Sequence, residues 1–157
     1  METVEIWIEV TSDRTKPGAL SVYRGIHRIA GPFRCLAKSD NAAAAQAGNP
    51  TRDPLKRMGD APLGRSSLTL VSPGTPLRSY GPGKRYLLTG TAGDALTAKK
   101  NGRTGIMIHG GALAAGGGLR PTHGCIRVDD ATIAALVGLG CQWATVATAP
   151  FKLPLAA

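Results

Sequence analysis

Gly102-Arg-Thr-Gly-Ile-Met-Ile-His109-Gly-Gly and, after a glycine-rich stretch ending at Leu119, Arg120-Pro-Thr-His123-Gly-Cys125-Ile-Arg127 form the densest cluster of reactive side chains in this 157-residue chain. Two of the three histidines fall within sixteen residues of one cysteine. A thiol is weakly nucleophilic until it loses its proton, so a catalytic cysteine needs an imidazole in reach and a polar setting. The apolar run ending at His109 reads as a strand delivering the imidazole at its tip, with residues 110–118 looping away and returning the chain to Cys125. Gly124 lets the backbone turn tightly, so that successive amide N–H groups at the nucleophile can face an oxyanion. Arg127 is suited to hold a substrate carboxylate or to pin the loop through backbone carbonyls. The competing reading makes His123 and Cys125 packing residues of a tight turn and His109 a satisfied strand-end histidine. Residue type alone does not choose between His109 and His123 as base.

Outward from this cluster the chain reads as short strands. Val4, Ile6, Ile8 and Val10 alternate with period two, residues 20–23 form a second run across the turn-rich 12–18 segment, and residues 29–37 continue the sheet. Residues 38–65 turn polar and rich in Asn, Pro, Asp and Gly, which predicts a long excursion over the surface, placed to cover a cleft and select an acceptor. Further apolar runs at 68–71, 86–89 and 105–108 are bounded by Gly or Pro and predict strands. Asp129 or Asp130 is expected to cap a helix through Ala131, Ile133, Ala134, Leu136 and Val137, ending near Gly138 and Gly140. Residues 142–147 then read as a closing strand. The predicted fold class is mainly β, a mixed sandwich or barrel-like sheet with one or two short helices, in a single domain spanning 1–157 with its active-site segment at 102–130.

Composition narrows the function. Twenty-one glycines and 11 prolines imply many turns, against an all-helical protein. A net charge of +9 attracts polyanions, whether nucleic acid, an anionic membrane surface or an acidic wall polymer. Aromatics are 4% and the cations are scattered, so a stacking platform or basic helix for nucleic acid is not expected. No apolar run approaches the roughly 20 residues that span a bilayer, so no membrane insertion is expected. The N-terminal stretch alternates acidic and apolar residues and lacks the basic and apolar regions of a secretory signal, which leaves export to another route. Of the three cysteines, Cys35 and Cys141 lie in apolar stretches and read as small buried hydrophobes, leaving Cys125 with the surroundings of a reactive thiol.

The 102–127 segment resembles the active-site signature of L,D-transpeptidases of the YkuD family: a histidine followed by glycine, a gap, then Ser or Thr, His, Gly, Cys, an apolar residue and Arg or Asn. Here these are His109-Gly110 and Thr122-His123-Gly124-Cys125-Ile126-Arg127. Gly59-Asp-Ala-Pro-Leu-Gly64 is similar to the family's Gly-Asp-x-Pro-x-Gly turn. The resemblance implies the L,D-transpeptidase catalytic fold, with Cys125 as acylated nucleophile, His109 as base, and the Gly110 carbonyl orienting the imidazole. His123, Gly124 and Cys125 would shape the oxyanion hole, supported by Thr122 and Arg127. No Asp, Glu, Asn or Gln lies between His109 and Cys125, so a side-chain third member would have to come from elsewhere, such as Asp94, Asn101 or Asp129.

By the same resemblance the partners are peptidoglycan stem peptides of a bacterial periplasm or cell wall, no cofactor is needed, and the cysteine is open to acylation by carbapenems. The thioester would pass to an amine, giving a 3-3 cross-link or an exchanged D-amino acid, or to water, as in an L,D-carboxypeptidase. A secreted antibacterial effector is a further reading, with an immunity protein as its partner. Rival classes are weaker. His109, His123 and Cys125 are zinc-ligand types, but all glutamates (Glu2, Glu5, Glu9) lie in the first ten residues and no H-E-x-x-H exists, so no metal is expected. Neither 110–118 nor Gly81-Pro-Gly-Lys84 fits a phosphate-binding loop. A basic wall-binding module without activity is the non-enzyme alternative.

Overall fold

A computed structural model describes residues 2–72 and 78–149. Among these, eight strands form one sheet: β1 (Val4–Val10), β2 (Gly18–Arg24), β3 (His27–Cys35), β4 (Gly64–Val71), β5 (Arg85–Ala92), β6 (Met107–His109), β7 (Ile126–Arg127) and β8 (Trp143–Thr148). The order across the sheet is β3-β2-β1-β8-β4-β5-β6-β7. Its two edges meet where Leu36, one residue past β3, exchanges both backbone hydrogen bonds with Arg127 of β7 at 2.9 Å each. That single antiparallel bridge brings the twisted sheet nearly to a closed barrel.

The period-two reading of β1 is met by burial, with Val4, Ile6, Ile8 and Val10 inward and the residues between them half-buried. They share the core with Leu20 and Val22 of β2, Ala144 and Val146 of β8, and Ile108, Ile126 and Val128 beside the reactive segment. Ile6, Ile8, Leu20, Ile108, Ile126 and Leu136 are essentially inaccessible, and each stabilises the fold by about 1.5–3 kcal/mol relative to exposure.

Three short helices accompany the sheet among the described residues, where one or two were expected: α1 (Asn41–Gln46), α2 (Gly93–Lys100) and α3 (Asp130–Leu139). Helix α3 is the expected one, closed by Gly140 in the left-handed conformation at φ 69°. It seats Ile133 and Leu136 in the core, and Tyr86 of β5 ties it down by donating to Leu136 O at 3.1 Å and accepting from Cys141 N at 3.0 Å. The other two helices rest on alanines, Ala44 in α1 and Ala95 and Ala98 in α2, which give no apolar stripe for a sequence pattern to reveal. No helix among the described residues is long and apolar enough to cross a membrane.

Residues 38–65 run largely over the surface, as predicted, but the segment is anchored by a few buried residues. Lys38, Ser39, Asn49, Asp60 and Ala61 are buried. Asp60 receives Ser39 N at 2.8 Å and Arg52 Nε at 3.1 Å, and the Asn49 side chain donates through Nδ2 to Asp53 O and accepts through Oδ1 from Asp53 N. These few buried polar side chains satisfy the segment's own backbone, as buried polar groups must.

Candidate active site

His109 ends β6, which is held between β5 and β7. In the parallel β6–β7 pairing His109 is register partner to Arg127, and Val128 N donates to His109 O at 2.9 Å. Cys125 precedes β7 directly, so the same two-residue ladder fixes the spacing of Cys125 and the imidazole. Cys125, His109, His123, Thr122 and Arg127 line one cleft of about 170 Å³, together with Tyr80. A second cleft of about 200 Å³ reaches Cys125 from the other side, past Arg57, Met58, Arg103, Gly105 and Gly124. Cys125 therefore lines both openings.

The turn carrying the cysteine is closed by Thr122. Its hydroxyl donates to Cys125 O at 2.8 Å and accepts from Gly124 N at 3.0 Å, while its backbone is pinned to Lys38 and Asp40. Gly124 sits at φ 115°, and a Cβ there would lie 2.3 Å from Arg103 Nη2 and 2.8 Å from Gly59 O, so glycine is required twice over. The sulfur receives Met107 N–H at 3.3 Å and reaches Gly105 O at 3.6 Å.

Beneath the imidazole, His109 Nδ1 is 2.6 Å from Gly110 O. A carbonyl only accepts, so Nδ1 carries the proton and Nε2 is left with its lone pair. Arg127 Nη1 donates to the same Gly110 O at 2.7 Å and to Ser79 O at 3.0 Å, and Nε to Arg120 O at 2.8 Å. Asp130 accepts from Gly111 N at 2.9 Å and fills the space where a Gly110 Cβ would stand. Tyr80 packs on the imidazole with centroids 4.6 Å apart, and Arg85 Cζ lies over the Tyr80 ring, 4.6 Å from its centroid.

Burial pushes His109 down to about 4, against the Gly110 hydrogen bond and with Arg127 and Arg85 reinforcing it. Burial raises Cys125, opposed by the Met107 N–H and then by Arg103, Arg127 and Arg85. Both shifts favour a neutral thiol beside a neutral imidazole before substrate arrives.

Every site residue expected from the sequence thus gathers at this junction. The side-chain alternatives for orienting the base do not. Asp129 is bound by Arg34 through Nε at 2.7 Å and Nη2 at 2.6 Å, Asn101 Nδ2 donates to Leu55 O at 3.2 Å, and Asp94 lies in the first turn of α2. Sequence reasoning passed over Tyr80, Asp130 as a loop anchor, and Arg103, which lies next to the Cys125 turn but sixteen or more residues from every quoted site position except His109 and Gly110. No three His, Cys, Asp or Glu side chains among the described residues are grouped to hold a metal ion.

The model of the YkuD family, described as the L,D-transpeptidase catalytic domain, matches residues 24–141. No curated protein matches the chain. The structure of Bd1075 from Bdellovibrio bacteriovorus is similar, with a TM-score of 0.57 at 16% identity, over 93% of this chain and 48% of that one. At that identity the likeness concerns the fold, and the chain spans about half the length of that protein.

Proposed function

Since the chain belongs to the YkuD family of L,D-transpeptidase catalytic domains, enzymes that act on peptidoglycan stem peptides of the cell wall, we propose that it is a cysteine acyltransferase of the periplasm or wall. Cys125 attacks the carbonyl at the L-centre of the third, diamino-acid residue of a stem tetrapeptide. As the Sγ–C bond forms, the thiol proton passes to His109 Nε2. The C–N bond to the terminal D-alanine then breaks, and the departing amine takes the proton from the imidazolium. A thioester remains, and an amine acceptor resolves it as a 3-3 cross-link or exchanged stem.

The observation that supports this most is the 2.6 Å contact of Nδ1 with Gly110 O, which leaves Nε2 as acceptor in the cleft that Cys125 also lines. General-base transfer suits a pair that is neutral at rest. Thr122 Oγ1 already takes the Gly124 amide, so the oxyanion is assigned to the amides of His123 and Cys125, with Gly124 supplying the turn. Two openings lined by Cys125 give leaving group and acceptor separate approaches.

Incubation with a defined tetrapeptide muropeptide, with and without an amine acceptor, followed by mass analysis of products and protein, tests the reading. Released D-alanine with an adduct on Cys125 is expected. Intact tetrapeptide and unmodified Cys125 would sink it. Product type separates cross-linking, exchange and the carboxypeptidase alternative, because all three pass through the same thioester. A carbapenem adduct on Cys125 is expected for the same reason, and a Cys125→Ala protein that keeps wall binding but forms no product distinguishes enzyme from binding module.

A further inference from the structure

Arg103 is only 7% exposed, and its guanidinium hydrogen bonds among the described residues all end on carbonyl oxygens. Nη1 donates to Pro54 O at 2.5 Å and Asp60 O at 2.7 Å; Nη2 donates to Gly59 O at 2.8 Å and Gly124 O at 3.2 Å. Three of these acceptors belong to the 38–65 segment and the fourth to the residue before Cys125. Its own backbone is fixed at the end of α2, with Arg103 N donating to Ala98 O at 3.0 Å. Carbonyls satisfy the guanidinium without neutralising it, so its charge persists in a setting where water screens poorly.

Two consequences follow from the position. The Gly124 carbonyl and the Cys125 N–H belong to one planar peptide and point in opposite directions; gripping the carbonyl therefore aims the amide. The charge also faces the cleft that reaches Cys125 from the side away from His109. We propose that Arg103 is a positioning residue for Cys125, aiming the oxyanion-binding amide through Gly124 O and holding a positive charge beside the sulfur as it becomes anionic. The inference rests on Cys125 being the nucleophile, as in the function proposed above. It adds that the second cation of the site comes from outside the histidine-and-cysteine signature, through the only side chain joining 54–60 to the nucleophile turn among the hydrogen bonds described. Arg103 and Cys125 are also mutually favourable electrostatically, each being the other's strongest opposite-charge partner.

The test uses Arg103→Lys, which keeps the charge but cannot fork to four carbonyls, and Arg103→Met, which removes both. Two quantities are read: the pH midpoint of iodoacetamide alkylation at Cys125, followed by peptide mapping, and the single-turnover rate of acylation by the tetrapeptide. Arg103→Met is expected to raise the alkylation midpoint by about one pH unit and to slow acylation roughly a hundredfold. Arg103→Lys is expected to keep the midpoint near that of the unaltered protein while acylation still falls about tenfold or more. A folded Arg103→Met protein with unchanged midpoint and rate overturns the proposal. Should Arg103→Met not fold, Arg103→Lys decides alone: an unchanged acylation rate overturns the amide-aiming role, and a raised midpoint overturns the charge role. Alkylation needs no peptidoglycan, so an unaltered protein that ignores muropeptides yet shows the midpoint shift in Arg103→Met would reject the proposed substrate and keep this inference.

Discussion

His109 and Arg127 share one acceptor: Gly110 O lies 2.6 Å from the imidazole Nδ1 and 2.7 Å from the guanidinium Nη1. A carboxylate in that place would orient the ring and also stabilise the imidazolium. A carbonyl gripped by an arginine orients the ring equally well, but it puts a cation where the carboxylate would be. The site therefore fixes the tautomer while opposing early protonation of the base, consistent with a His109 pushed down to about 4 chiefly by burial.

The pH dependence follows from that depression. Acylation of Cys125 is expected to lose nothing to protonation of His109 between about pH 7 and about pH 5, where an ordinary histidine would titrate. Its acid limb should appear near 4. An acid limb near 6.5 in the rate of carbapenem acylation would contradict it. Stability is linked with the same sign: the unfolded chain binds the proton near 6.5 and the native one near 4. The contribution of neutral His109 is thus full above about 6.5 and is lost as pH falls through 4. Thermal melts over that window should show a smaller loss for His109→Gln than for the unaltered protein.

Arg127→Lys tests the shared acceptor. Arg127 is 3% exposed and serves three carbonyls, Gly110, Ser79 and Arg120. An ammonium on a flexible stem cannot hold that fork, and buried carbonyls left unpaired cost about 1–3 kcal/mol each. The expected result is a loss of about 2–4 kcal/mol in denaturant unfolding, with acylation at least about tenfold slower because the imidazole loses its fixed support. Unchanged stability and rate in Arg127→Lys would show that the fork is dispensable.

The sheet and the gathering of His109 and Cys125 in one cleft were legible in the sequence because both depend on short-range pattern. Period-two alternation marks β1, and the expected runs at 68–71, 86–89 and 105–108 fall within or against β4, β5 and β6. Thr122, His123, Gly124 and Cys125 form one tight turn, so their adjacency in space follows from adjacency in sequence. What was hidden depends on long-range partners. Lys38 to Asp60 reads as polar loop and is largely exposed, yet Lys38, Ser39, Asn49 and Asp60 are buried, with Arg103 donating to the Asp60 carbonyl and the Asp60 carboxylate taking Ser39 N and Arg52 Nε. Asp129 reads as a helix cap, and it does begin α3, but its carboxylate is drawn away to Arg34, ninety-five residues distant.

Two glycines separate strain from space. Gly124 is held at φ 115° with Arg103 and Gly59 against its open face, whereas Gly118 has no neighbour within 4 Å and no positive φ. Gly124→Ala is expected to cost about 2–4 kcal/mol and to abolish most acylation by moving the nucleophile turn. Gly118→Ala should stay within about 0.5 kcal/mol and keep activity. Denaturant unfolding of both proteins checks the contrast, and equal effects would mean that the turn tolerates a side chain.

The thiols offer a last contrast, since three free cysteines are buried but differ in what surrounds them. Cys35 has no accessible surface and lies against Gly18, its register partner across β2 and β3, where a Cβ would approach its sulfur to 3.3 Å. Burial pushes Cys35 up to about 12 and Cys141 up to about 11, leaving almost no thiolate at neutral pH. Cys125 is also raised by burial, but the Met107 amide and three arginines favour its thiolate, and it opens onto two clefts. Iodoacetamide at about pH 8 should therefore add one group per native molecule, at Cys125, with the other two thiols labelled only after unfolding. Intact mass and peptide mapping read this directly. Native labelling of Cys35 or Cys141 would mean that the barrel opens far more often than its closed edge and filled core imply.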